Sequence, residues 1–407
     1  KSGKLDQAYN LLKNLETSNR SDIEIIWLLA FVSHAQDKNK ESESYYEKAI
    51  SIEPGNNDLK LEFATMLFQS GKIDKAEKTL QSLLFLKDQK FEILYYLAYI
   101  DFWKGNYSSS LKKIEEIHTL YKNDTLVNVL AREIERVTSP VLSAGFYLVT
   151  DNQPLRSENV SLNFKKSVSA LINPEAELRY SIYNPSARNA DFRVGNTFSF
   201  PSVKLAILAK AGFYYNSEDK LNSTIGEISL SKQIGKNIEF ELGFKRQPYN
   251  STQISTTYSL LNSMYFLNFE YNSKNKAILH GNASITSWPD NNKIKSLNIW
   301  YLSKPLLKDK RYDLRIGSGL SNADSKKIMY LPVSNDALTD TAVYEQVAGY
   351  YSPYYSPGNL TTVMWIVNFN YSPVKKLRLS LKFNAAIYGR ADIPVIIKSY
   401  NDTGSPE

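Results

Sequence analysis

The chain has 407 residues, 49 Lys+Arg against 42 Asp+Glu, no cysteine, 28 tyrosines and 18 phenylalanines. Its length favours two domains, and the lack of cysteine excludes disulfides and thiolate metal sites. No run of about 18 apolar residues occurs, which excludes a transmembrane helix. The basic excess is uneven: residues 1–139 carry 19 basic and 21 acidic side chains, residues 140–407 carry 30 and 21. Aromatic richness with a negative mean hydropathy of −0.36 suits strands that show one face to something apolar and the other to water. The sequence opens inside a repeat, without a first methionine or signal segment, and so reads as a piece of a longer protein.

Gly3, Asp37, Gly71 and Gly105 are each 34 apart, and so are Ala8, Ser42, Ala76 and Ser110. The first series marks a tight turn between two helices, the second a small residue that lets them pack. The best-preserved unit runs from Ile23 to Pro54, with Trp27-Leu28-Leu29-Ala30, Tyr45-Tyr46-Glu47-Lys48-Ala49-Ile50 and Glu53-Pro54. These residues resemble the tetratricopeptide repeat, whose period is 34 residues. A half repeat over 1–19 precedes three full repeats, and 126–137 reads as a terminal helix. The resemblance implies a stacked scaffold with a concave surface, not an enzyme. Trp27, Phe31, Tyr95, Tyr99, Phe102 and Trp103 come from first helices of repeats. They serve either as packing between repeats or as an aromatic groove for a protein partner or a glycan.

The period changes at 138–141. Pro140 cannot continue a helix and biases Ser139 towards an extended conformation. Beyond it, Glu175–Ile182, Ile238–Lys245, Arg311–Ile316 and Lys376–Phe383 alternate polar and apolar at every step. Period two over about 10 residues marks a half-buried strand. Short connections at Phe200–Ser202, Gln233–Lys236, Asn272–Asn275, Pro305–Lys310 and Ser372–Lys375 alternate with longer ones at Asp151–Ser157, Asn216–Ser223, Pro248–Thr257 and Ser321–Asn359. That pattern predicts a closed antiparallel barrel of about 14 strands over 142–407, or 16 if the chain continues. Tyr180, Phe213, Tyr265, Tyr301, Trp365, Phe369 and Tyr371 suit an interface girdle. A charged second face is too costly for a packed core and implies a wet interior. The expected class is therefore α + β multidomain: a repeat solenoid over 1–137, a junction at 138–141 and an outer-membrane β-barrel over 142–407. The repeats would be periplasmic, and the loop 321–359 would lie at the cell surface.

Alternation puts Lys165, Arg179, Arg193, Lys204, Lys210, Lys245, Arg311, Arg315, Lys376, Arg378 and Lys382 inside. Glu175, Glu177, Glu227, Glu239, Glu241, Glu270 and Asp313 join them. They either pair and brace the lumen or line a path for a hydrated polymer, with the cations favouring anionic sugars. The tandem Tyr350-Tyr351-Ser352-Pro353-Tyr354-Tyr355-Ser356-Pro357 is too proline-rich for a strand interior. It is either a rigid joiner or a mouth gate whose tyrosine rings carry sugar.

Repeats followed at once by a barrel, with the Tyr-Tyr-Ser-Pro stretch before a late strand, resemble the export porins of secreted polysaccharides such as cellulose and poly-N-acetylglucosamine. The resemblance implies export of a polysaccharide through the bacterial outer membrane. It implies periplasmic or inner-membrane secretion proteins as partners of the repeats. The competing reading is a plugged barrel that anchors a repeat scaffold in a surface or adhesion assembly. His34, His118 and His280 lack ligand spacing, and no nucleophile motif or phosphate-binding glycine loop occurs. No cofactor, metal, nucleic-acid partner or enzymatic activity is expected.

Overall fold

In a computed structural model the structure describes residues 2–399, apart from 122–123, 151–154, 184–186, 309–310, 333–343, 348, 375–376 and 393–395. Two compact units are present, with the main break between Ser139 and Pro140.

The first unit has helices α1 (Ser2–Ser18), α2 (Ile23–Ala35), α3 (Asn39–Ile52), α4 (Asn57–Gln69), α5 (Ile73–Gln81), α6 (Lys90–Trp103), α7 (Tyr107–Leu120) and α8 (Thr125–Thr138). Side-chain caps start three of them at intervals of the repeat. Asp22 accepts from the N–H groups of Glu24 and Ile25, Asn56 from that of Leu59, and Asp124 from those of Leu126 and Val127. Each satisfies backbone donors that the first turn leaves open. Lys90 stands at the same step, and α6 begins without a side-chain cap. The turns within the pairs need a left-handed residue, taken by Asp37, Gly71 and Gly105 with φ of 62°, 82° and 73°.

Ser42 and Ser110, found where the repeat prefers alanine, are buried. Their hydroxyls donate to the carbonyls of Ala30 (2.7 Å) and Ala98 (2.6 Å) on the preceding helix. The substitution therefore leaves no buried hydroxyl unmet. Ile26, Leu29, Tyr46, Leu59, Leu67, Leu80 and Ile93 form one continuous core through α2–α6. Leu94, Ile114, Ile117, Val127, Leu130 and Ile134 form a second across α6–α8. Each repeat is completed by its neighbour, as a solenoid requires.

The second unit contains β1 (Val141–Thr150), β2 (Arg156–Lys165), β3 (Pro174–Tyr183), β4 (Arg188–Phe200), β5 (Leu205–Asn216), β6 (Asn222–Ile234), β7 (Ile238–Pro248), a short helix α9 (Gln253–Thr257), β8 (Leu261–Asn272), β9 (Ile278–Ser287) and β10 (Lys293–Leu302). It continues with β11 (Leu307–Lys308), β12 (Tyr312–Ser325), β13 (Tyr330–Pro332), β14 (Tyr344–Val347), β15 (Gly349–Tyr351), β16 (Gly358–Val374), β17 (Leu377–Asp392) and β18 (Ile396–Ser399). Strands β1 to β10, then β12, β16 and β17, pair antiparallel in chain order, thirteen in one sheet, with β11 added beside β12. Two small pairs, β13–β15 and β14–β18, stand apart from it.

Three sequence expectations change. Among the described residues β1 pairs only with β2 and β17 only with β16, so the sheet is not closed into a ring. The segment 321–359 is not one loop, because β12 extends to Ser325, β16 starts at Gly358, and β13, β14 and β15 fall between them. Length alternation is also less regular than the sequence suggested. The connections after β3 and β9 are as short as those at the opposite rim, while the β2–β3 connection is longer.

Candidate functional site

The register fixes the two faces of the sheet. On β3, Glu175, Glu177, Arg179 and Ser181 share one face with Lys165, Asn163, Ser161 and Asn159 of β2, and Leu178, Tyr180 and Ile182 share the other. Exposure is inverted relative to an ordinary half-buried sheet. Glu175 and Ser181 are 6% and 3% exposed, whereas Leu178, Tyr180 and Ile182 are 43%, 39% and 41% exposed. The exposed apolar face runs across the sheet through Leu162, Val194, Phe213, Leu242, Tyr265, Leu297, Trp365 and Leu381, whereas the polar face is screened on the inner strands and open at Arg179 and on the end strands β1 and β17. No helix among the described residues is long and apolar enough to cross a membrane.

One flank of the polar face is ionic. Lys210 Nζ lies 2.7 Å from Glu177 Oε1 and 3.3 Å from Glu175 Oε1, and Lys165 lies 3.1 Å from Glu175. Arg193 and Arg179 flank Asp191 at 3.5 and 3.7 Å. Asp191 was absent from the inward set read from the sequence, although it stands two residues before Arg193 and so shares its face. Arg315 Nε binds Asp313 Oδ1 at 3.0 Å, and its Nη1 donates to the Lys276 carbonyl at 2.8 Å. These cations are engaged by protein partners rather than presented as an open arginine ladder.

The other cation candidates divide. Lys245, opposite Glu227 in the register, extends to 5.9 Å from the centroid of the Phe266 ring. That ring packs over the site where a Cβ of Gly243 would stand. Lys382 is exposed on β17 opposite Asn368. Lys376 and the side chain of Arg378 lie outside the described residues. Lys204 and Arg311 are not on a strand face at all. Lys204 ends the turn Pro201–Val203 with φ 51° and donates to the Gly235 carbonyl at 2.9 Å. Arg311 precedes β12, and its carbonyl accepts from the Ser372 N–H at 2.8 Å. Strand ends break the alternation on which their placement rested.

A second flank is uncharged for most of its length. Glu241, Asn268, Asn282, Asn298 and Ser321 stand opposite one another in a row across β7, β8, β9, β10 and β12. Asn268 Nδ2 donates to Glu241 (2.8 Å), Asn282 to Asn268 (2.6 Å) and Asn298 to Asn282 (3.5 Å), while Ser321 Oγ donates to Asn298 (2.5 Å). Two residues on from Asn298, Trp300 shares the polar face and stacks on His280 at 4.8 Å and 18°. Sequence reasoning missed this row because asparagines scattered over three strands have no local signature.

Tyr354, Tyr355, Tyr351 and Tyr350 meet different fates. Tyr354 is 1% exposed, stacked on Trp288 and bonded to Asp290. Tyr249 packs edge-on against Trp288, and its hydroxyl accepts from the Tyr355 N–H at 3.0 Å. The Pro353 carbonyl accepts from Thr252 Oγ1 at 2.5 Å, the Pro357 carbonyl from the Ser325 N–H at 2.9 Å, and Ser356 Oγ from the Met329 N–H at 2.6 Å. The segment is thus pinned to the connections after β7, β9 and β12. Tyr355 remains exposed and touches Tyr351, which touches Tyr330. The side chain of Tyr350 lies outside the described residues.

In the repeats, Trp27 Nε1 donates to Glu62 Oε2 at 2.5 Å, and Tyr46 donates to the other oxygen of the same carboxylate at 3.0 Å. Trp27 thereby ties α2 to α4. Tyr95, Tyr99 and Phe102 form a half-buried ring ladder along α6, at 5.9 and 6.1 Å, and Tyr99 also meets Phe68 of α4 at 5.5 Å. Phe31 and Trp103 are exposed.

Residues 33–98 match the tetratricopeptide repeat family. Among solved structures, the repeats are similar to a tetratricopeptide repeat protein from Parabacteroides merdae, at 19% identity and TM-score 0.31 over 33% of this chain and 54% of that one. MamA from Desulfovibrio magneticus gives 10% identity and TM-score 0.31 over 33% and 76%. The first tetratricopeptide domain of Spaghetti, solved with an HSP90 peptide, gives 18% identity and TM-score 0.26 over 28% and 90%. The chain thus spans about half of the first of these. No curated protein matches it. Tetratricopeptide repeats commonly bind partner proteins or peptides, so the first unit carries a scaffold for protein–protein interaction.

Proposed function

We propose that the chain is an outer-membrane conduit that exports a polysaccharide, with its repeats in the periplasm gathering secretion proteins. The inverted sheet carries this reading. In water, each exposed leucine, isoleucine or aromatic on its apolar face would forgo roughly 1.5–3 kcal/mol of burial. Lipid removes that cost, and strands hydrogen-bonded to neighbours are the form in which a sheet crosses a bilayer. Closure of β1 against β17, directly or through further strands, completes the barrel in this account. The screened polar face then becomes the lumen, rich in groups that hydrate a polymer.

The engaged cations and the pinned tyrosine segment favour a second reading, a closed barrel that anchors the repeats. Single-channel recording in planar bilayers separates the two. Steady conductance, or conductance gained on deleting 326–357, supports export. A barrel that stays silent in both forms supports the anchor.

A further inference from the structure

We infer that Trp300 and the row Glu241–Asn268–Asn282–Asn298–Ser321 form a binding subsite for an uncharged polyhydroxyl chain, a neutral glycan. The inference rests on the conduit reading and moves its cargo from the anionic sugars that the sequence favoured to neutral ones.

Unspent hydrogen-bonding capacity is the first ground. A side-chain amide has two N–H donors and an oxygen with two lone pairs. Along the row each asparagine gives one N–H to its neighbour and receives one bond in return. The second N–H of Asn268, Asn282 and Asn298 meets no protein acceptor among the described residues, and all three side chains are half-buried rather than sealed. Each amide therefore offers both a donor and an acceptor. A sugar hydroxyl, itself donor and acceptor, matches that pair. A carboxylate only accepts, and would meet the amide oxygens without a proton to give.

Charge points the same way. The row ends on Glu241, and the adjacent row sets Glu239 directly opposite Glu270 in the register. Arg179, Arg193, Lys210 and Arg315 are already occupied by carboxylates. An anionic sugar approaching Trp300 would meet Glu239 and Glu270, which share its row through His280, whereas a neutral one carries no charge for them to repel.

Trp300 supplies the apolar half of the match. Sugar rings carry a face of C–H groups, which packs on an aromatic plane whose face is electron-rich. The ring is oriented by the His280 stack on one side; on the other its register partner is Gly319, over which the Met364 side chain packs, and Trp300 stays half-buried between them. A polymer moving along the strands passes from this platform onto the amide row, about two residues or roughly 7 Å further on. Several modest contacts of this kind hold a moving chain without stalling it.

The test uses the full chain in detergent micelles and saturation-transfer NMR with cellohexaose, maltohexaose and hexagalacturonate. A neutral hexamer should bind and hexagalacturonate should not. Trp300→Ala and Asn282→Leu should each weaken binding about tenfold or more, while Trp300→Phe should stay within about threefold of the parent. Stronger binding of hexagalacturonate, no binding of either neutral hexamer, or neutral binding untouched by properly folded Trp300→Ala and Asn282→Leu would overturn the subsite. If those variants do not fold, the preference of the unmodified chain between neutral and uronic hexamers decides. Conductance keeps the two claims apart. A conducting pore that binds no neutral hexamer loses the subsite and keeps the conduit, and a silent barrel that binds one keeps the subsite and loses the conduit.

Discussion

Tyr354 lies flat on Trp288, with ring centroids 3.7 Å apart and planes 4° apart, and its hydroxyl donates to Asp290 Oδ2 at 2.6 Å. One residue on, Tyr355 points outward. The tandem tyrosines therefore do two jobs, one fastening and one facing solvent. Truncating a buried ring of this kind costs about 3–5 kcal/mol. Tyr354→Ala should release the segment 326–357 and make it sensitive to protease, while Tyr355→Ala should leave cleavage unchanged. Equal resistance in the two variants would show that the stack does not hold the segment.

Lys210 joins two carboxylates on the polar face; its side chain is 9% exposed, that of Glu175 5% and that of Glu177 25%. Removing one partner of a buried ion cluster costs about 3–5 kcal/mol, because the remaining charge is stranded. Lys210→Met should lower the unfolding temperature of the stranded unit sharply. Adding Glu175→Gln and Glu177→Gln should recover most of the loss. A single substitution as stable as the parent would mean that water already screens these carboxylates.

The repeats allow a backbone test of both signs. Asp37 holds a φ of 62° where the equivalent positions are Gly71 and Gly105. Left-handed backbone is strained for a residue with a Cβ and free for glycine. Asp37→Gly should stabilise the helical unit by up to about 1 kcal/mol, and Gly71→Ala should destabilise it by about 1 kcal/mol. Asn56→Ala, which removes a cap, should cost about 1 kcal/mol. Denaturant titration of the helical circular dichroism signal measures all three.

How much of this was legible in the sequence follows from the range of each interaction. Turns and small residues recur every 34 residues because each obeys local backbone geometry, so Asp37 and Ser42 announce the repeats. Period two announces the strands, and the face of Arg193 with it. The register that brings Asp191 between Arg179 and Arg193 depends on strand pairing, which no single segment encodes. Lys204 and Arg311 were misplaced because each stands one residue before its strand begins, still in the turn, where the alternation does not yet hold. The burial of Tyr354 needs Trp288 and Asp290, more than sixty residues away in the chain, and the amide row needs five strands at once.

Acid should loosen the repeats in a defined direction. Lys48, and then Lys13, hold the Glu16 carboxyl below its ordinary value of 4.5. A depressed carboxylate contributes stability that is present above 4.5 and lost as pH falls through the folded value. Glu16→Gln should therefore lower helical stability at neutral pH and flatten its dependence below 4.5. An unchanged acid profile would remove Glu16 from the account.

The central claim is that the exposed apolar face of the sheet meets lipid and the screened polar face meets water. The chain has no cysteine, so single cysteines can be placed without background at 178, 179, 180, 181 and 182 on β3. Each variant, labelled with a bimane fluorophore and reconstituted in bilayers, is quenched with brominated lipid and separately with aqueous iodide. The account predicts strict alternation, with Leu178→Cys, Tyr180→Cys and Ile182→Cys quenched by lipid and Arg179→Cys and Ser181→Cys quenched by iodide or by neither. Lipid quenching that fails to alternate, or iodide reaching 178, 180 and 182 as readily as 179, would contradict it.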